Sequence, residues 1–446
     1  MKHILCIILA MTGIHGSYAQ SKPGLDSLIQ QFRFAAKQGL IDVYYPRNTD
    51  TLYGGYITGY SFDFKPVGAQ DKMIVTQSRN VWTTAEAAIF YKDTSYIKLS
   101  RHGFYFLRDK MWDKKDGGFY TLVTRDGTPK TLVKEAYGNA FAIYALATYY
   151  KASKDREALK LAQATFQWLE KHSHDPKYKG YFQHLSKQGV PIERTADTPP
   201  LAETGLKDQN SSIHLLEAFT ALYEVWPDAL LKTRLQEVLT LIRDKIVTDN
   251  GYLQLFWTTD WRPVSFRDYS EELIMKSKNL DHVSFGHDVE TAYLMEEAAT
   301  VIGKHNDPLT LAVGKKMVDH ALKVGWDQQL GGFYDEGYYF KDKEGCTIIN
   351  KSKNWWAQAE GLNTLLIMAE RYPNDPMQYY QRFLKLWEYV QTYLIDHEHG
   401  DWYEEGLDNE PFRKTALKAH IWKCTYHNFR ALSNCIQRLE KLKQEG

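Results

Sequence analysis

Along the chain, stretches with apolar residues three and four apart alternate with short glycine-aromatic segments of a different rhythm. These segments are "YGGYITGY" around Gly55, "DGGFYTLV" around Gly118, "YKGYFQHL" around Gly180, "DNGYLQLF" around Gly251, "LGGFYDEG" around Gly332 and "EHGDWYEE" around Gly400. They recur roughly every 60 to 80 residues, and each reads as a glycine turn leading into a short strand or hairpin. Between them the periodicity predicts paired helices: 133–152 with 156–172, 211–226 with 231–247, and 288–303 with 308–324. Two helices in each of six periods make about twelve, and antiparallel helices in that number close into a toroid. The expected fold is all-α: an (α/α)6 barrel, an inner ring of six helices within an outer ring of six, with short β-hairpins in its loops. It forms one domain over 20–446.

The first nineteen residues break this pattern. "MKHILCIILAMTGIHGSYA" has a basic start, an apolar run from Ile4 to Met11 and small residues at Ser17 and Ala19. That is the form of a cleavable signal peptide, 1–19, and the run is too short to span a bilayer. A periplasmic or secreted protein is expected, with no membrane association beyond export. Cys6 lies inside this leader and is not read as a lipid-anchor site. Cys346, Cys424 and Cys435 lack metal-site spacing. They are expected as free or buried thiols, with a Cys424–Cys435 bridge the less favoured alternative.

Charge narrows the partners. The chain has 55 basic and 55 acidic side chains and a formal net charge of zero, which provides no footprint for nucleic acid or an anionic membrane. Aromatics make up 14%, with 12 Trp and 30 Tyr. Such a composition suits carbohydrate handling, because sugar C–H faces pack on rings; the alternative is aromatic packing inside a helical barrel. A monomer is expected.

Two stretches, "SFGHDVETAY" at 284–293 and "SSIHLLEAFT" at 211–220, place a histidine three residues ahead of a glutamate, His287 with Glu290 and His214 with Glu217. On a helix such a pair shares one face. Arg79, Tyr137, His214, His287, Trp356 and His427 all fall near the start of the helix that follows a glycine segment. In a closed toroid that phase means one end of the barrel and one concave site. A metal site is one reading of three histidines and a carboxylate, but each histidine stands alone in its period, without H-E-x-x-H spacing, so no metal is expected. Hydrogen-bonded packing is the second reading. The third is acid/base chemistry: imidazole titrates near ~6.5, which suits proton transfer at neutral pH. Arg79 would then stabilise a developing oxyanion, and Glu290 would orient and tune His287. Glu290 and Glu360 are the carboxylates a glycoside hydrolase would need instead.

These segments resemble the N-acylglucosamine 2-epimerase superfamily and, within it, the cellobiose 2-epimerases, a group that includes the mannobiose 2-epimerases. The resemblance rests on "SRNVW" at 78–82, "KEAYGNAFAIYAL" at 134–146, "NSSIHLLEAFTALYEVW" at 210–226, "SFGHDVETAYLM" at 284–295, "NWWAQAEGLN" at 354–363 and "WKCTYHN" at 422–428. It implies an (α/α)6 barrel and a reaction with no metal or organic cofactor. His287 and His427 match the general acid/base pair on C2 of a reducing-end sugar, and His214 the histidine linked to ring opening. Arg79 matches the arginine that steadies the enediolate. Tyr137, Asn210, Glu290 and Glu360 match polar residues of the reducing-end subsite, and Trp355, Trp356 and Trp422 match aromatics that stack on sugars. Trp355 and Trp356 are adjacent and cannot both face one axis, so Trp356 is expected as the platform. The chain departs from the family pattern at Ser212, Tyr293 and Thr425. The resemblance implies a small disaccharide as the partner, cellobiose or mannobiose. The alternatives kept beside it are an aldose–ketose isomerase, a glycoside hydrolase and a sugar-binding protein without activity.

Overall fold

A computed structural model describes residues 24–445; the expected leader and Cys6 lie outside the described residues. Where apolar positions recur at helical spacing, the chain is helical in the predicted order. The main helices are α1 Leu25–Ala36, α2 Ile74–Tyr91, α3 Ser95–Phe106, α4 Ala136–Ser153, α5 Arg156–His172, α6 Gln209–Val225, α7 Ala229–Leu241, α8 Phe285–Val301, α9 Pro308–Val324, α10 Trp355–Arg371, α11 Tyr379–Tyr389 and α12 Tyr426–Glu445. Even-numbered helices pack on one another in sequence, and α12 returns to α2, closing an inner ring. Each odd-numbered helix backs an inner one, with α1, the first, seated on α12, the last. This is the expected (α/α)6 barrel. The two rings differ in sequence as their burial requires. Inner α4 is buried almost all round from Ala136 to Tyr149, whereas outer α5 buries one stripe including Ala158, Ala162, Phe166 and Leu169.

At one end of the barrel the periods are stitched together by very short strands. Lys72–Met73 pairs with Leu122–Val123, Lys134–Glu135 with His184–Leu185, Lys207–Asp208 with Phe256–Trp257, and Val283–Ser284 with Glu336–Tyr338. Single bridges Asn354–Glu405 and Tyr60–Ala419 complete the circuit. The strand before each inner helix thus pairs with the hairpin of the next period, and the last pairs with the first.

A buried ion pair fixes most of these corners. Asp50, Asp113, Asp175, Asp327 and Asp396 open the glycine turns, and one oxygen of each carboxylate accepts the backbone N–H groups two and three residues on. The other oxygen receives Lys72, Lys134, Lys207, Lys353 or Lys418 at 2.5 to 3.0 Å. All five lysines are buried, and the first four stand two residues before an inner helix. The glycine is required by the turn: Gly118 has φ +70°, and a Cβ there would lie 2.8 Å from the Trp168 ring. The fourth period alone lacks the pair, and it lacks both halves. Thr248 replaces the aspartate and Val283 the lysine; Thr248 Oγ1 bonds both the N–H and the C=O of Tyr252.

The three cysteines of the described residues are free, as expected. No helix among these residues is long and apolar enough to cross a membrane.

A buried lysine that loses its carboxylate, or the reverse, costs about 3–5 kcal/mol, whereas replacing both partners is often close to neutral. Lys134→Val alone should therefore destabilise the barrel by about that amount in urea unfolding. The double variant Asp113→Thr/Lys134→Val, which copies the fourth corner, should regain more than half of the loss. A double variant no more stable than the single one would count against the corner as a paired unit.

Candidate active site

The site is built from the first two turns of the inner helices, at the stitched end. Second helical residues are Tyr137, Asn210, Trp356 and His427; sixth residues are Arg79, His214, Glu290 and Glu360. Positions two and six are one turn apart on the same face, so these residues form two layers around the axis. The helix starts are held by caps: Asp208 Oδ1 accepts from Ser211 N at 2.6 Å, and Asn354 Oδ1 from Ala357 N at 3.1 Å. In α8 the second residue is Gly286, where a Cβ would stand 2.6 Å from the Trp356 ring. The missing side chain makes room for that indole, and His287 follows it.

In each of the three histidines it is Nδ1 that the protein holds. His427 Nδ1 lies 2.6 Å from Glu360 Oε1, His214 Nδ1 lies 3.0 Å from Glu217 Oε2, and His287 Nδ1 lies 2.9 Å from Ser284 Oγ. Gln209 Nε2 approaches His287 Nδ1 at 3.5 Å. Nε2 of each ring has no partner among the described residues. Trp356 lies between two of the rings, with centroids 4.7 Å from His287 and 5.8 Å from His427. The third ring, His214, packs 5.2 Å from Tyr137 and 4.6 Å from Phe141. Arg79 donates from Nη2 to Tyr137 Oη at 3.2 Å and from Nη1 to the Trp422 carbonyl at 3.0 Å. Its guanidinium lies 4.5 Å from the Phe141 ring centre and its Nε has no partner.

Burial sets the charge state. It pushes His287 well below the ordinary histidine range, helped by the neighbouring His214, and does the same to His427, helped by Arg79. Both rings therefore favour the neutral form, with one nitrogen able to accept a proton. Burial raises the Glu360 carboxyl, and Arg430 opposes it without cancelling it. For Glu217 burial also acts upward, but Arg430 and His214 outweigh it and hold the carboxyl at about 2.

A cleft of about 370 Å³ reaches the cluster at His287, with Tyr137, Gln209, Asn210 and Trp422 also in its wall. Asn210 Oδ1 is buried there without a partner. Trp422 is 49% exposed on the rim. Trp356 is the indole turned to His287 and His427. Trp355 is not part of the site: it is buried behind it, 5.6 Å below the Lys423 ammonium and edge-on to His420. A second expectation is also corrected. Glu290 does not orient His287, because His287 sits at the head of α8 and turns back to Ser284, while Glu290 points across the axis to Arg430. Among the departures from the family pattern, Tyr293 donates to Glu360 Oε2 at 2.7 Å, Ser212 Oγ donates to the Asp208 carbonyl, and Thr425 packs against Thr83 and Tyr45.

Arg430, on α12, is the residue that sequence reasoning missed. It is 4% exposed and donates to Glu217, Glu290 and Glu360. A signal was present: His427-x-x-Arg430 repeats the spacing of the two His-x-x-Glu pairs, with the charge reversed. Glu290, Glu360 and His427 bring ligand atoms within 4.8 Å of one another, a geometry that a metal ion can use. Here Nη2 of Arg430 already bonds both carboxylates, so the positive charge they call for is supplied by the chain itself.

The sequence profile of the N-acylglucosamine 2-epimerase (GlcNAc 2-epimerase) family matches residues 55–431. A cellobiose 2-epimerase of Ruminococcus albus is 30% identical over 397 residues, covering 87% of this chain and 93% of its own. A D-mannose isomerase of Marinomonas mediterranea is 23% identical over 425 residues, covering 94% and 99%. The structure of cellobiose 2-epimerase from Bacillus thermoamylovorans B4167 shares the fold, with a TM-score of 0.80 at 24% identity over 93% of this chain and 100% of its own. With its barrel, its histidine cluster and a profile match over most of its length, the chain belongs to the N-acylglucosamine 2-epimerase family and is a sugar epimerase.

Proposed function

We propose that the protein is an exported, periplasmic or secreted sugar 2-epimerase, working as a monomer. It interconverts glucose and mannose at the reducing end of β-1,4-linked disaccharides such as cellobiose and mannobiose. One observation carries the reading: three rings pinned at Nδ1, each with a free Nε2, converge beside Arg79 and a single indole. His214 assists ring opening to the aldehyde. Nε2 of one of His287 and His427 takes the C2 proton, and the C2–H electrons move into the C1–C2 bond as the carbonyl becomes an enediolate oxygen. Arg79 holds that oxygen by charge. The other histidine, carrying on Nε2 a proton taken up from water, delivers it to the opposite face of C2; the enediolate collapses to the 2-epimer, and the positive charge passes from the second ring to the first. Trp356 is the floor on which the sugar turns between the two rings.

The second reading, an aldose–ketose isomerase, uses the same enediolate and reprotonates C1. It is supported by the D-mannose isomerase that matches the chain over 94% of its length. Hydrolysis is disfavoured by Arg430, which ties Glu290 and Glu360 to one nitrogen instead of leaving them on opposite sides of a glycosidic bond.

Incubation with cellobiose or mannobiose in deuterated water, followed by NMR, should yield the 2-epimer with deuterium at C2 and no monosaccharide. A ketose would support the isomerase, and free monosaccharide would overturn both readings. His287→Ala and His427→Ala should each lower kcat by at least ~100-fold with an unchanged circular-dichroism spectrum, as expected for loss of a general acid/base. Because the neutral ring is the base and burial depresses its pKa, the acid limb of kcat/KM should lie below ~6.5, the ordinary histidine value. A limb at or above that value would mean that the site does not hold its histidines neutral.

A further inference from the structure

We infer that Arg430 is a positioning residue for this reaction: its guanidinium holds in place the carboxylates that orient two of the three histidines, coupling His214 and His427 through one buried cation. The inference rests on the acid/base reading above. Nη1 donates to Glu217 Oε1, whose other oxygen faces His214 Nδ1; Nη2 donates at 2.6 Å to Glu360 Oε1, the same oxygen that faces His427 Nδ1. Nη2 also reaches Glu290 Oε1. Two tyrosines complete the set: Tyr426 donates to Glu217 Oε1 at 2.6 Å, and Tyr293 to Glu360 Oε2 at 2.7 Å. The titratable groups around the guanidinium are Tyr144 of α4, Glu217 of α6, Glu290, Tyr293 and Glu297 of α8, Glu360 of α10, and Tyr426 and His427 of α12. Arg430 does not line the cleft on the His287 side. Two separate nitrogens of the planar guanidinium reach Glu217 on one side and Glu290 with Glu360 on the other, whereas a lysine here offers one compact ammonium, keeping the charge and losing the geometry.

Arg430 is also reachable from the other direction. A chamber of about 630 Å³ enters the barrel from the opposite end, among the C-terminal halves of α2, α4, α6 and α8 and beside Arg430, Ser433 and Asn434 of α12, and Arg430 and Glu217 are part of its wall. A small guanidinium compound therefore has a route to the place of a truncated side chain without passing the sugar cleft.

The consequence for pH follows from sign. Removing the cation leaves Glu217 and Glu360 buried without compensation, so they take up protons at higher pH and stop accepting from Nδ1. The histidine bases, freed of a nearby positive charge, also protonate at higher pH. Both effects move the acid limb upward.

The test compares the wild type, Arg430→Lys and Arg430→Ala on whichever disaccharide the wild type epimerises. Arg430→Lys should lose roughly 10- to 100-fold in kcat, the scale of one or two charge-assisted hydrogen bonds, with KM within about threefold; in Arg430→Ala, where the cation is gone, the acid limb should also rise by about one unit. Methylguanidinium at millimolar concentration should restore part of the Arg430→Ala rate, and ethylammonium should not. Nitrogen-15 NMR of labelled histidines should show His214 and His427 as Nδ1–H tautomers in the wild type and a mixture in Arg430→Lys. If Arg430→Ala does not fold, Arg430→Lys decides alone. A folded Arg430→Lys with the wild-type kcat and tautomers overturns the inference. A wild type that acts on no sugar overturns the parent reading instead.

Discussion

The structure depends on a lysine placed where its charge is least welcome. An ammonium at the head of a helix opposes the positive end of the macrodipole, and burial adds a desolvation cost. Lys72, Lys134, Lys207 and Lys353 occupy that position in front of α2, α4, α6 and α10, and each is tolerated because an aspartate from its own glycine turn meets it. The arrangement fixes the glycine turn against the start of the inner helix. In those four helices the site residues lie within the next two turns, so the ion pair sets where Arg79, Tyr137, Asn210, His214, Trp356 and Glu360 stand.

The site then handles charge in the same way, on a larger scale. One arginine and three glutamates are withdrawn from water together, and two of those glutamates also hold histidines. Burial holds His287 and His427 below the ordinary histidine range, while the carboxylates stay tied to Arg430. Acid, base and counter-charge are separated by distance within one cluster instead of by solvent.

The period was legible because glycine is demanded by left-handed turn geometry and aromatic residues follow it, and the helices were legible from apolar spacing. The predicted pairs 133–152 with 156–172 and 288–303 with 308–324 differ from the observed helices by at most three residues at any end. The phase of the histidines was legible for the same reason. Which glutamate serves which histidine was not. His214 keeps the glutamate three residues on, but His427 takes Glu360 from another helix, and Glu290 leaves His287 for Arg430. Those choices are made across the axis, between residues 67 to 213 positions apart, where local spacing carries no information. The buried lysines were readable in principle, since a lysine precedes four inner helices by two residues. A charged residue beside a polar turn passes for a solvated one until its burial is known.

The ring also imposes an order on biosynthesis. Helix α1 buries Leu28, Ile29, Phe32, Ala35 and Ala36 against a shell that includes α12, and the bridge from Tyr60 runs to Ala419. Among the described helices, α1 is made first and therefore waits for α12 before it can be covered. Until then the growing chain is an open arc with an uncovered apolar seam and without His427 or Arg430. Such an arc is the kind of intermediate that associates with its neighbours or with chaperones. Completing the circle and acquiring chemistry are a single event, and it happens at the C-terminus.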